Sequence, residues 1–193
     1  MTPQPPTDPP SPRADAQRNR RRVLEAVLAS AGEVRELSLD EIARRAGVGR
    51  STLFRHFATR EELLLAATAQ AIEEGQQIAR AAIAGGGGAA EVLTRLSRDI
   101  ARLAARFGVL RGNRELAAQL IARGEADPLL EWAVAAHARG ELRQELSPRW
   151  IADMLVVLAM ASADQLREPG SDEAEVAAML AATMIGAFVA PTG

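Results

Sequence analysis

The stretch S-L-D-E-I-A-R-R-A-G-V-G-R-S-T-L-F-R-H-F-A-T-R-E-E, residues 38–62, leaves this chain few ways to fold. It reads as two short helices joined by a tight turn and handed on to a third. That is the outline of a helix-turn-helix, a device that places one helix in the DNA major groove. Ser38 and Glu41 form an S-x-x-E capping box, so the first helix is expected to open at Leu39. Leu39, Ile42, Ala43 and Ala46 give it an apolar side, with small Ala43 where a second helix must cross closely. Gly47 follows the last turn, where a left-handed backbone is needed. Val48 plugs the corner, and Leu53 and Phe57, four apart, face back into the core. Arg50, Ser51, Thr52, Arg55 and His56 are left pointing partly outward. Cations and hydroxyls on a face of that helix free of acids suit a polyanion. Thr59 and Glu62 form a second capping box that opens the next helix.

The run D-E-I-A-R-R-A-G-V-G-R-S-T-L-F-R-H-F-A-T-R-E-E-L-L, residues 40–64, resembles the TetR-type transcriptional regulators. The turn, the trailing R-H-F and the helix-opening T-R-E-E-L-L occur together, which makes the match specific. Three positions depart from the family's usual letters. Gly49 stands where a Ser or Thr usually caps the recognition helix, Phe54 where a Tyr is usual, and Arg60 where a Lys is usual. Gly is an acceptable cap. Phe54 lacks the hydroxyl that in this family typically touches a phosphate, and Arg60 keeps the charge. The expected DNA-binding set is Ser38, Arg50, Ser51, Thr52, Phe54, Arg55, His56 and Arg60. Arg50, Ser51, Thr52 and Arg55 are the base readers, since Arg offers a fork to guanine O6 and N7 and Thr a methyl and a hydroxyl. His56, Arg60 and the helix start at Ser38 are the phosphate contacts.

Charge agrees once it is divided along the chain. The formal total is −2, but residues 1–60 hold eleven Arg against seven acids, and residues 61–193 hold twelve Arg against eighteen acids. A basic head on an acidic body fits a protein whose head alone meets DNA. With 193 residues, 48% of them hydrophobic, the chain can bury a real core. No apolar run is long enough to span a membrane, and the Pro-rich N-terminus does not read as a secretory signal. The chain has no cysteine and two histidines, so disulfides, thiolate metal sites and a cysteine nucleophile are out, and the cytoplasm is the expected setting. No cofactor or metal is expected. No Ser-His-Asp spacing, phosphate loop or H-E-x-x-H motif appears, so an enzyme is not expected.

The periodicity predicts an all-α fold of about nine helices. Residues 1–12 are expected to be a Pro-rich disordered tail, 13–60 the DNA-binding head and 61–193 a body for effector binding and dimerisation. The first helix is expected over about 15–31, with R-N-R-R-R, Arg18 to Arg22, serving as a basic arm for the DNA backbone or minor groove. The fourth runs over about 60–83 and ends at the linker Gly85 to Gly88. The fifth covers about 89–107, with Leu93, Leu96, Ile100, Leu103 and Phe107 as its apolar stripe. Asn113, Asp127-Pro128, Ser147-Pro148 and Ser171 open the remaining four.

The last two helices are apolar beyond a single stripe, which calls for burial on more than one side. A second subunit supplies it, with Ile151, Leu155, Leu158, Val176, Leu180, Thr183 and Met184 as the expected dimer interface. The family resemblance implies an effector pocket in the body, for which Arg102, Arg106, Phe107, Leu116, Leu120, Trp132, His137 and Met154 are candidates. The arginines Arg95, Arg98, Arg102 and Arg106 either face that pocket or form a solvated stripe. Together these readings predict a dimeric, ligand-responsive regulator, most simply a repressor, binding double-stranded operator DNA. The rival is a chain with the same fold that acts through protein contacts.

Overall fold

A computed structural model describes residues 12–30, 37–104, 109, 113–123, 127–166 and 168–191. They hold nine helices: α1 (Pro12–Ala29), α2 (Leu39–Ala46), α3 (Arg50–His56), α4 (Arg60–Ala84), α5 (Ala89–Leu103), α6 (Arg114–Arg123), α7 (Pro128–Ala138), α8 (Pro148–Gln165) and α9 (Glu173–Phe188). Among the described residues the only β pairing is one bridge between Leu142 and Val189, so the fold is all-α. α1, α2 and α3 pack on one another as a head, and α4 leads from α1 to α5, α6 and α7 of the body. The tightest helix pairing of the body sets α9 against α5.

The helix-turn-helix forms as its letters require. Ser38 caps α2, its Oγ accepting from the Glu41 N–H at 3.1 Å. Gly47 ends α2 at φ 63° and ψ 36°, and the Val48 N–H then donates to the Ala43 carbonyl at 3.0 Å. This six-to-one closure is what turns the chain sharply into α3. An added Cβ at Gly47 would touch nothing within 4 Å. Gly47→Ala is therefore expected to cost only left-handed backbone strain, about 1 kcal/mol. A denaturant midpoint unchanged from wild type would contradict that.

The expected reciprocal capping boxes are only half formed. The Glu41 carboxylate binds Arg44 at 2.6 Å and Arg45 at 3.1 Å, not the backbone of Ser38. Thr59 Oγ1 accepts from the Glu62 N–H at 3.1 Å, but Glu62 accepts in return from Ala58, one residue before the cap. The last helix is capped by Asp172, which accepts from the N–H groups of Ala174 and Glu175. Ser171, the expected cap, instead donates to the Gln165 carbonyl at 2.6 Å and so closes the loop behind it.

Gly85 to Gly88 is more than a linker. Arg95 folds back from α5 and donates to the Ala82 carbonyl at 3.0 Å and to the Gly86 carbonyl, so its guanidinium satisfies the end of α4. A Cβ at Gly85 would lie 2.8 Å from Arg95 Nε, so glycine there makes room for this cap. Arg102, next but one along the same stripe, lies exposed and pairs with Asp99 at 3.5 Å and Glu173 of α9 at 3.7 Å. It ties two helices together at the surface.

The expected dimer set divides by burial. Ile151, Leu155, Val176, Leu180 and Met184 are already buried within the single chain. Ile151, Leu155, Leu180 and Met184 belong to the chain's own hydrophobic core, and Val176 is buried outside that cluster. Leu158 is half-buried and Thr183 exposed. On these two helices the large apolar side chains left exposed are Trp150 (52% exposed) and Val157 (42%) on α8 and Met179 (49%) on α9.

Candidate nucleic-acid interface

α3 is held from behind and open in front. Leu53 is fully buried and Phe57, at its C-cap, nearly so. Arg50, Ser51, Phe54 and Arg55 are exposed, and Thr52 and His56 are half-buried at the margins of that face. Gly49 caps the helix without a side-chain bond, so the first turn of α3 is open to solvent. The eight expected contact residues thus fall on α3 and on the two helix starts that flank it, at Ser38 and Arg60.

Three of them make intramolecular contacts that sequence reasoning did not anticipate. Arg60 Nη1 donates to the Leu37 carbonyl at 2.6 Å, so this cation fastens the chain just ahead of the Ser38 cap. Arg50 Nη1 reaches across the turn to Asp40 Oδ2 at 3.0 Å. The Arg50 guanidinium also lies over the Phe54 ring, 5.5 Å from its centroid. Asp40 was not singled out among the candidate residues. It lies ten positions before Arg50, on another helix, so no helical period links the two.

The flanking basic residues are organised as well. Arg44 and then Arg45 hydrogen-bond Glu41 and hold its carboxyl down at about 2, so the group stays ionised throughout the range of a DNA-binding assay. The expected arm Arg18 to Arg22 is not an extended segment but about one and a half turns of α1. Arg18 pairs with Asp15, which offsets a cation near the helix start, and Arg20 lies over Phe57 with 5.3 Å to the ring centroid. The basic run is therefore built into the head's packing. Arg20 and Arg21 also border a cleft of about 840 Å³ between α1 and α4, whose far wall carries Gln70, Glu73 and Glu74.

The effector candidates among the described residues lie on α5, α6, α7 and α8 of the body. Trp132 is buried in the core, Met154 packs half-buried against it, and Leu116 and Leu120 are half-buried on α6. His137 is half-buried, and its Nε2 is buried with no hydrogen-bond partner among the described residues. Arg106 and Phe107 lie outside the described residues. No helix among the described residues is long and apolar enough to cross a membrane.

Comparison with known proteins bears directly on this architecture. Residues 26–67 match the family described as bacterial regulatory proteins, tetR family. That span runs from within α1 to the first turns of α4 and contains the whole interface apart from the basic run. No curated protein matches the chain. Among solved structures, the TetR-like transcriptional regulator LfrR from Mycobacterium smegmatis, in complex with proflavine, is similar at 21% identity and a TM-score of 0.70, covering 92% of this chain and 99% of its own. The fatty acid degradation regulator FadR from Bacillus halodurans is similar at 16% identity and 0.69, covering 93% and 97%. A transcriptional regulator from Saccharomonospora viridis, in complex with choline, is similar at 17% identity and 0.66, covering 91% and 100%. Residues 26–67 of the head thus match the tetR family of bacterial regulatory proteins, and the chain as a whole has the fold of TetR-like regulators.

Proposed function

We propose that this chain is a DNA-binding transcriptional regulator. It docks as a homodimer on a pseudo-palindromic operator, releases it when a small molecule binds the body, and acts most simply as a cytoplasmic repressor. The observation that carries this reading is the outer face of α3, where Arg50, Ser51 and Arg55 stand exposed on a helix anchored by Leu53 and Phe57. Such a helix enters a major groove with its N-terminal residues at the base edges. One seven-residue helix reads too few base pairs for specificity, and a two-fold dimer doubles the site. Selection from a pool of randomised duplexes is expected to enrich an inverted repeat with half-sites about one helical turn apart. No enriched motif would sink the operator reading and favour action through protein contacts.

The apolar residues left exposed on α8 and α9 support the dimer. Trp150 and Val157 are seven apart, hence on one side of α8, and Met179 and Thr183 are four apart on α9. Large apolar side chains clustered on one surface mark an interface. Val157→Glu combined with Met179→Glu is expected to halve the sedimenting mass, because two carboxylates cannot be buried unpaired at that seam. An unchanged mass would place the interface elsewhere.

For the effector, two structures that share the fold hold small molecules, proflavine in one and choline in the other. In this chain the half-buried Leu116, Leu120, Met154 and His137 and the buried Trp132 are the side chains we assign to such a pocket. The unpartnered Nε2 of His137 supplies the kind of polar group that orients a ligand within an apolar wall. A ligand releases DNA only if it binds the undocked conformation better. α4, which contacts α1 in the head and α5, α6 and α7 in the body, is the element through which that preference reaches the head.

A further inference from the structure

Asp40 is an acid on a surface proposed to meet a polyanion, and its presence there needs a reason. Its carboxylate sits 3.0 Å from Arg50 Nη1, and the pair is exposed on both sides, 69% for Arg50 and 58% for Asp40. An exposed ion pair adds little to stability, so the pair is not there to hold the fold. Arg50 is also stacked on Phe54, the residue that stands where the family resemblance leads one to expect a tyrosine. Two contacts from two directions restrict a side chain that would otherwise sweep a wide volume. The Nη1 end is turned to Asp40, which leaves the Nε and Nη2 donors side by side on the free edge. That edge is the fork that guanine O6 and N7 accept.

Resting on the DNA-binding reading above, we propose that Asp40 and Phe54 fix the Arg50 guanidinium as a guanine reader, which makes Asp40 a specificity-determining residue that never touches a base. An unrestrained arginine at the head of α3 reaches any nearby phosphate and binds all sequences alike. Asp40 opposes this in two ways. It orients the guanidinium toward the groove, and its own charge weakens binding wherever Arg50 finds no guanine to engage. The arrangement sacrifices general affinity for discrimination.

The test uses the full-length protein and the duplex enriched by selection. The relevant base pair is the G·C pair whose exchange for A·T weakens the wild type but not Arg50→Ala. The wild type is expected to lose about tenfold or more on that exchange, as for a lost bidentate contact. Asp40→Ala is expected to lose less than about threefold on the same exchange and to bind a scrambled duplex at least as tightly as wild type. Asp40→Asn keeps an acceptor oxygen without the charge, so it should retain discrimination while binding the scrambled duplex more tightly. Phe54→Leu, which removes the ring but not the volume, should lose discrimination like Asp40→Ala. Circular dichroism confirms that each variant is folded.

The inference is overturned if Asp40→Ala keeps the full penalty, or if it weakens binding to both duplexes equally. It is also overturned if the exchange of no guanine depends on Arg50. A wild type that enriches no motif overturns the DNA-binding reading itself, and that outcome is seen before any variant is made.

Discussion

Leu53→Ala is expected to destabilise the head by about 2–5 kcal/mol, the range for deleting most of a fully buried leucine from a packed core. Leu53 is 0% exposed and is the one α3 residue buried inside the helix itself. α3 is only seven residues long, too short to hold its shape by backbone hydrogen bonds, so packing on α1 and α2 keeps it helical. Phe57 shares that task from the C-cap and limits the damage without replacing the lost contacts. Since a domain's whole stability is about 5–15 kcal/mol, the loss is large enough to populate a head with a detached recognition helix. Denaturant unfolding measures the first effect and DNA affinity the second. A variant with wild-type stability would mean that α3 is held by something other than this side chain.

The second large effect separates binding from folding. Arg50→Ala together with Thr52→Ala is expected to lower affinity for the selected duplex by about 10³ or more, since each lost base contact is worth about 1–3 kcal/mol and a dimer loses two of each. Stability should barely move. Arg50 is exposed and its pair with Asp40 is a surface pair, worth about 0–1 kcal/mol at most. Thr52 is half-buried, so a small loss there is tolerable. The two experiments together discriminate. Leu53→Ala weakens DNA binding through the fold, whereas the double substitution weakens it with the fold intact. A double variant that still binds with wild-type affinity would remove α3 as the reading element.

The parts of this protein that were legible in its sequence are those set by neighbours along the chain. Ser38, Gly47, Thr59, Asp127 and Ser147 act within four residues of themselves, and each ends or starts a helix where its chemistry says it should. Leu53 and Phe57 were legible for the same reason, because one helical turn separates them. What was not legible depends on how helices meet. Periodicity shows that α8 and α9 are apolar on more than one side, but not which side faces the chain's own core. That is decided by α5, some eighty residues upstream of α9, and it took Ile151, Leu155, Val176, Leu180 and Met184 inward. Arg102 likewise meets Glu173 across seventy-one positions. Asp40 and Arg50 are close in sequence yet separated by a turn, and only the turn's geometry joins them. In each case the contact joins residues on different helices, beyond the reach of any pattern within one helix.

The central claim, that α3 reads a specific sequence, is tested most directly by a salt titration of binding. The chain's own upstream DNA is compared with a scrambled duplex of the same composition. The account predicts a preference of about 10³ or more for the native DNA, with affinity falling steeply as salt rises because arginines displace counterions from phosphates. Equal and weak binding to both duplexes at every salt concentration would contradict it.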